Sequence, residues 1–496
     1  MNLTPTEEQR AIIDAVSSGH SLKVAALAGT GKTSTLQLIA STYPERRGLY
    51  LAYNKALQLA AQDRFPPWID CKTVHGLAFK KEGFKFFKQL KERPNYDEII
   101  DALTIEDFEV SIPVGTGKVM VELGAEKQVS LSREIIRYFT FSNQKTIDRQ
   151  NFEVFLEKEL STLFPDFYQD GVLKSDDVTT VACFESLVQK ILTETQKIWE
   201  QQCSSESDTV PATHDTYLKT YQMSKPSITG YDYIMLDEAQ DANPCILDIL
   251  ANQACQVIYV GDEHQQIYEF RGTVNAMQTL ELPVLYLTQS FRFGKKIAAE
   301  ANAMLKQLKS PSLVKGLSSI PSMVGEITQL PYTFLARTNI TLFEKCAEAI
   351  KAGHKCSLAA DVKSIISLVR SVFYIWMKKP EWVKDERVEA FITWQDLLEF
   401  ADDEDDHEIL GAINFVRKFE GDTLDLLNLI AASGKFPESR ADIFFSTVHR
   451  AKGREWDRVV IADDFNLKTQ QEINLYYVAI TRCKHLLQHT WPKSTK

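Results

Sequence analysis

The stretch AlaLeuAlaGlyThrGlyLysThr, from Ala26 to Thr33, decides how the chain is read. A short apolar run, Leu22 to Leu27, comes before it, and a helix-compatible ThrSerThrLeuGlnLeuIleAla begins at Thr33. Strand, tight loop, helix is the P-loop arrangement. Backbone N–H groups of Ala28, Gly29, Thr30 and Gly31, with Ser34 at the helix start, would converge on phosphate oxygens. Lys32 would neutralise the β- and γ-phosphates, and the Thr33 hydroxyl is placed to ligand Mg²⁺. The general pattern opens on glycine, and here Ala26 stands in that position.

At 496 residues the chain exceeds one ordinary core and should divide into about three or four folding units. Lys plus Arg number 56 against 67 Asp plus Glu, a net charge of −11, so no global basic field exists to hold nucleic acid. Binding to DNA or RNA must therefore use a local groove. No charged n-region leads into an apolar run at the N-terminus, and no stretch of about 18 apolar residues could span a bilayer. A cytoplasmic, nucleoid-associated location in a prokaryote, or a nuclear one in a eukaryote, is expected, with no membrane contact. The eight cysteines are scattered without a CxxC pair, which argues against a metal cluster and against a disulfide framework.

Thr4, Pro5 and Glu7 read as a capping box that starts a helix running to about Ser18. Gln9 lies in its first turns, where an amide could read an adenine edge. A second strand, Gly48 to Tyr53, and a third, Ile69 to Val74, alternate with helices. Together they imply a parallel sheet whose working loops lie at the carboxyl ends of the strands. Tyr53, Asn54, Thr73 and His75 would sit on that edge. From about Lys80 to Lys225 the pattern turns mostly helical, and ValGlyThrGlyLys at Val114 to Lys118 lacks the Ser or Thr of a second P-loop.

The sheet resumes at Tyr231 to Leu236, which delivers AspGluAlaGlnAsp, Asp237 to Asp241. An apolar strand ending in two acids supplies what a P-loop lacks: Asp237 for the Mg²⁺ shell and Glu238 to orient and deprotonate the attacking water. After the next buried strand, the loop Glu263 to Gly272 gathers amides, aromatics and an arginine. It suits a site that senses phosphate on one side and stacks a base on the other. A second unit begins near Leu282. It contains a helical stretch, Asp361 to Asp442, with an acidic run at Asp402 to Glu408 that reads as a solvated face.

These motifs resemble those of UvrD/Rep-type superfamily 1 helicases, and within that group the F-box DNA helicases and their short microbial relatives. The resemblance rests on AspGluAlaGlnAsp, ValGlyAspGluHisGlnGlnIleTyrGluPheArgGly, LeuThrGlnSerPheArgPheGly, PheLeuAlaArgThrAsn and HisArgAlaLysGlyArgGluTrpAsp. These occur in the family's order between about Leu3 and Leu487. It implies an α/β fold of two RecA-like P-loop domains, parallel sheets flanked by helices, each with a mainly helical insertion. The expected division is 1–80 with 226–281 as the ATP-binding domain, 81–225 as its insertion, 282–360 with 441–496 as the second domain, and 361–440 as a short second insertion.

The resemblance further implies an ATP site in a cleft between the two domains, with Gln9 on adenine, Phe291 stacked on it and Glu455 on the ribose. Gln265 would sense the γ-phosphate, and Arg292 and Arg482 would reach it from the second domain. Tyr53, Asn54, His75, Tyr268, Phe270, Arg271, Arg337 and His449 are assigned to single-stranded DNA. No F-box segment or fused nuclease is expected, so a ubiquitin-ligase role does not carry over. The implied activity is an ATP-dependent DNA helicase or translocase, with 3′ to 5′ movement taken from the family. Its substrate would be single-stranded or partly duplex DNA, with roles such as DNA repair or recombination. An ATP-gated DNA-binding switch, recruiting a protein partner through the helical insertions with little unwinding, is the alternative. The sequence alone gives no reason for Arg454 and Cys483 inside these motifs.

Overall fold

The computed structural model describes residues 4–91, 95–114, 117–169, 172–174, 177–204, 209–268, 275–360, 362–403 and 407–490. Two six-stranded sheets organise it. The first has the order Val284–Leu287, Leu22–Ala26, Gln256–Gly261, Tyr233–Leu236, Gly48–Ala52, Ile69–Thr73. Gly48–Ala52 runs parallel to both Ile69–Thr73 and Tyr233–Leu236. Every residue of Gly48–Ala52, Tyr233–Leu236 and Gln256–Gly261 is buried. Strands covered on both faces read as unbroken apolar runs, and crossover helices make that covering obligatory for parallel strands.

The second sheet has the order Met323–Val324, Cys483–His489, Trp456–Ile461, Tyr332–Ala336, Ile443–Thr447, Cys356–Ala359, and each of these pairs is parallel. The chain is thus mixed α/β with two largely parallel sheets flanked by helices. It divides into two compact units. One contains Met1–Val24, Thr33–Gly261 and Tyr268–Leu285; the other contains Ala25–Lys32, Asp262–Ile267 and Tyr286–Lys496. The phosphate loop and the start of the Asp262 loop therefore cluster with the C-terminal part of the chain.

The two helical stretches build their cores differently. In the first, Ile99, Val129, Ile135, Phe139, Leu187, Ile191 and Ile198 form a cluster drawn entirely from residues 99–210. That is a self-contained core. In the second, Val369 and Val372 of the helix Val362–Trp376, Ile413 and Val416 of His407–Phe419, and Leu427 and Ile430 of Thr423–Ser433 join Phe334, Ala336, Phe445 and Val460 of the sheet. This stretch has one apolar face per helix and closes it against the sheet.

Two local details depart from the sequence reading, and a third lies outside it. The first helix, Glu7–Ser17, is capped by Thr6, not Thr4. Thr6 Oγ1 accepts from Gln9 N at 3.2 Å while Gln9 Oε1 accepts from Thr6 N at 3.0 Å. Glutamine at the third helical position serves a box as well as glutamate, and Thr6 places Ile12, Ile13 and Val16 inward. Next, the stretch after Lys80 is not helical throughout. Phe108–Val114 and Gly117–Leu123 form an antiparallel hairpin, with Phe108 opposite Leu123 and Val114 opposite Gly117. Of the GlyThrGlyLys that mimics a P-loop, Gly117 and Lys118 open the second of these strands, and residues 115 and 116 lie outside the described residues.

The third is Lys219, fully buried on the helix His214–Met223. Its amine donates to Ser142 O at 2.9 Å and Gln144 O at 2.5 Å, past the end of the helix Ala125–Phe141, and lies 4.4 Å from the Phe139 ring centroid. Burial pushes its pKa down to about 8, partly offset by Cys245 and Asp248. A cation at a helix C-terminus meets the carbonyl dipoles, which is why this amine is tolerated inside.

Candidate functional site

The P-loop leaves the strand at Ala26 and turns through Gly29 and Gly31, both in left-handed backbone at φ +73° and +80°, before the helix Lys32–Thr42. Thr30 Oγ1 donates to Leu27 O at 2.7 Å and holds the turn closed. Gly29 is also a close approach. A Cβ there would lie 2.6 Å from Ser290 Oγ and 2.7 Å from Arg292 Cβ, and Gly29 O accepts from Phe291 N at 2.8 Å. The predicted base-stacking residue Phe291 is thus tied by its backbone to the P-loop, with its ring 45% exposed.

Beside the start of that helix, Thr33 Oγ1 donates to Asp237 Oδ2 at 3.1 Å, and Tyr50 OH donates to the same oxygen at 2.8 Å. Burial, then the adjacent Asp237, hold the Tyr50 phenol far above its ordinary pKa, so it stays a donor. Asp237 Oδ1 accepts from Glu238 N at 3.0 Å. A hydroxyl and a carboxylate oxygen at this separation match neighbouring corners of a magnesium shell, whose ligands sit about 2.1 Å from the ion. The donor set therefore fits Mg²⁺. Glu238 adopts φ 54°, ψ 44°, a left-handed conformation costly for glutamate, and its Oε2 accepts from Gln240 Nε2 at 2.6 Å. Strain of about 1–3 kcal/mol persists only where surroundings enforce it, and here it aims a carboxylate.

A second constellation lies within the unit that contains the P-loop. Arg482 is 2% exposed; its guanidinium donates to Gln265 Oε1 at 3.2 Å, Val478 O at 3.0 Å and Arg454 O at 3.3 Å. Gln265 Nε2 donates to Asp262 Oδ2 at 2.6 Å, and that oxygen also accepts from Tyr477 OH at 3.1 Å. The Tyr477 hydroxyl in turn accepts from the P-loop amide Ala28 N at 3.1 Å. An unbroken chain of hydrogen bonds thus runs from Arg482 through Gln265, Asp262 and Tyr477 to the phosphate loop. Arg292 Nε donates to Glu455 Oε2 at 2.6 Å and Nη1 to Thr481 O at 3.0 Å, so both predicted arginines meet around Thr481.

Tyr477, Asp262, Tyr50 and Gln240 were not singled out from the sequence. Tyr477 precedes Arg482 by five residues on the helix Gln470–Ile480, and only its complete burial tells its hydroxyl from that of neighbouring Tyr476. Tyr477→Phe is expected to lower stability by about 1–3 kcal/mol, because Ala28 N–H would lose its hydroxyl acceptor in a buried place. It should also slow ATP turnover by loosening the loop. Denaturant melts and steady-state rates check this, and a variant unchanged in both would remove Tyr477 from the site.

The remaining predicted residues are placed as follows. Gln9 is buried, and its amide is engaged with Thr6 and, through Nε2 at 3.1 Å, with Thr35 on the P-loop helix. Asn54 and Thr73 cap the helices Lys55–Gln62 and Val74–Lys81. The Tyr53 and Tyr268 rings lie parallel within 7°, centroids 6.4 Å apart. His75 Nε2 is 3.7 Å from Asp215 Oδ1, and burial holds the imidazole below its ordinary pKa against that carboxylate's pull. His75 is therefore a neutral ring at pH 7. Arg337 pairs with Glu472 at 2.7 Å. His449 is on the short helix Val448–Ala451. Phe270 and Arg271 lie outside the described residues.

Comparison with known proteins adds to this geometry. Residues 130–281 match the sequence model of the UvrD/REP helicase N-terminal domain, and residues 442–488 match that of the UvrD-like helicase C-terminal domain. The chain is 32% identical to F-box DNA helicase 1 of Gallus gallus, over 97% of this chain and 48% of that protein. It is 28% identical to F-box DNA helicase protein 1 of Schizosaccharomyces pombe, over 97% of this chain and 57% of that protein. The chain therefore spans about half the length of these curated relatives.

Proposed function

From a chain that carries the N- and C-terminal domains of a UvrD-like helicase, we propose an ATP-driven DNA helicase that moves along single-stranded DNA, 3′ to 5′. The observation that carries the reading is the Thr33–Asp237–Tyr50 cluster beside Glu238, at the end of a P-loop, whose donor set fits a metal ion. In this reading Lys32 neutralises the β- and γ-phosphates, and Thr33 and Asp237 hold Mg²⁺. That ion supplies positive charge to the phosphate oxygens when bound. Glu238 takes the proton of the attacking water. Gln265, Arg292 and Arg482 meet charge that develops on the transferred phosphoryl group, while Phe291, Gln9 and Glu455 take base and ribose.

Tyr53, Tyr268 and His75 offer a strand aromatic and neutral surfaces that ignore base identity, as a motor requires. Phe270, Arg271, Arg337 and His449 are assigned to the strand in the same reading. The four-part division into two RecA-like domains with insertions at 81–225 and 361–440 belongs to the same proposal, as does a partner protein on the insertions. The test is steady-state ATP hydrolysis without nucleic acid and with single-stranded DNA of increasing length. Stimulation that rises with length and saturates supports a translocating motor. Stimulation independent of length would favour an ATP-gated switch instead, and indifference to DNA would remove the strand from the reading.

A further inference from the structure

Residues 79–91, PheLysLysGluGlyPheLysPhePheLysGlnLeuLys, interleave aromatics with lysines in a chain whose net charge is −11. They form the end of the helix Val74–Lys81 and a 3-10 turn, Gly83–Phe86. Phe86 is 2% exposed and anchors the turn, whereas Phe84 and Phe87 are 69% and 70% exposed. The turn is held by structure elsewhere in its own unit: Lys91 N donates to Ala212 O at 2.9 Å, Ala212 N to Gln89 O at 2.9 Å, and Gln89 Nε2 to Ser204 O at 3.2 Å. Gly83 lets the backbone press onto the Phe79 ring, which a Cβ would meet at 2.2 Å. Two phenylalanines are thus displayed in water by a braced turn, an arrangement that marks an interaction surface.

The patch is continuous with the edge assigned above to the strand. Ring centroids lie 5.9 Å apart from His75 to Tyr217, 5.5 Å from Tyr217 to Phe79 and 5.2 Å from Phe79 to Phe84. Lys80, Lys81, Lys85 and Lys88 are exposed around it. Lys85 pairs with Glu82 at 2.6 Å, and among the described residues no carboxylate pairs with Lys80, Lys81 or Lys88. A ligand that meets both features needs repeated anionic groups and flat apolar faces in alternation. A nucleic-acid strand has both.

We propose that this turn is a second platform for the DNA strand, with bases stacked on Phe84 and Phe87 and phosphates on Lys80, Lys81 and Lys88, reached by strands longer than the sheet edge can hold. The proposal rests on the strand-binding reading above. It is tested with the full chain, fluorescein-labelled oligo(dT) of graded length and a salt series. Two variants are compared with wild type: F84A/F87A, and K80A/K81A/K88A.

Because these side chains are exposed, melting temperature and DNA-independent ATP hydrolysis should stay unchanged. F84A/F87A is expected to weaken binding of long oligonucleotides by about tenfold or more for each base lost from a ring, while short ones bind as before. The lysine variant should reduce the slope of log K against log salt by about 2, near 0.7 for each phosphate contact. Wild-type affinity and slope retained in both variants would overturn the platform, leave the strand reading standing, and assign the patch to an acidic protein surface. A wild-type chain that binds no oligonucleotide at any length would overturn both.

Discussion

Glu238→Gln is expected to cut ATP turnover by about two to four orders of magnitude, the range for removing a positioned general base, while ATP and DNA affinities stay close to wild type. The reason lies in what the substitution leaves alone. The amide oxygen of glutamine can still accept from Gln240 Nε2, which now donates to Glu238 Oε2 at 2.6 Å. Thr33 and Tyr50 donate to Asp237, not to Glu238, so the residues proposed to hold the metal keep their geometry. The left-handed backbone at φ 54° is no dearer for glutamine than for glutamate. Only the ability to take a proton goes. Rapid-quench turnover together with equilibrium binding of ATP and of a labelled strand separates the two effects, and a glutamine variant that hydrolyses ATP at the wild-type rate would end the assignment of Glu238 as base.

The residues of this acid pair were legible in the sequence because their placement is local: a buried strand must release its next two residues at the carboxyl edge of a parallel sheet. The P-loop was legible for the same reason. What was not legible is tertiary. Nothing near Tyr50 in the chain says that its hydroxyl meets Asp237, and nothing near Tyr477 says that it holds the amide of Ala28. The hairpin at Phe108–Leu123 escaped because short alternating strands inside a helical region carry a weak periodic signal, and tertiary packing decides between them.

Arg454 and Cys483 gain their reasons in the same way. The Arg454 guanidinium lies 4.8 Å from the Phe444 ring centroid and 4.9 Å from that of Trp456, and it pairs with Glu438, which also accepts from Trp456 Nε1 at 2.8 Å. Three chain segments meet there. Cys483 is a fully buried small side chain that opens the strand Cys483–His489, directly after Arg482. A bulkier residue at that position would disturb the backbone that fixes the arginine.

Arg482→Ala is expected to lower the turnover of bound ATP by about three orders of magnitude or more, the range for an arginine that meets transition-state charge, with a much smaller change in ATP affinity. The structure sharpens this beyond the loss of one cation. Arg482 donates to Gln265 Oε1 at 3.2 Å, and the Gln265 amide is held from its other end by Asp262 at 2.6 Å. Removing the arginine therefore frees the group proposed to sense the γ-phosphate. Gln265→Ala should reproduce much of the defect, and the double variant should be little worse than either single one, since members of one hydrogen-bonded unit lose their function together. Arg482 is buried and also serves Val478 O and Arg454 O, so alanine will cost stability as well. Arg482→Lys keeps a buried cation but cannot reach three acceptors from one planar fork, and it separates charge from geometry. A melt of each variant, followed by single-turnover hydrolysis at saturating ATP well below its midpoint, gives the result. If ATP affinity collapsed while bound ATP turned over normally, or if the double variant lost the product of the two single effects, Arg482 would be a binding residue independent of Gln265.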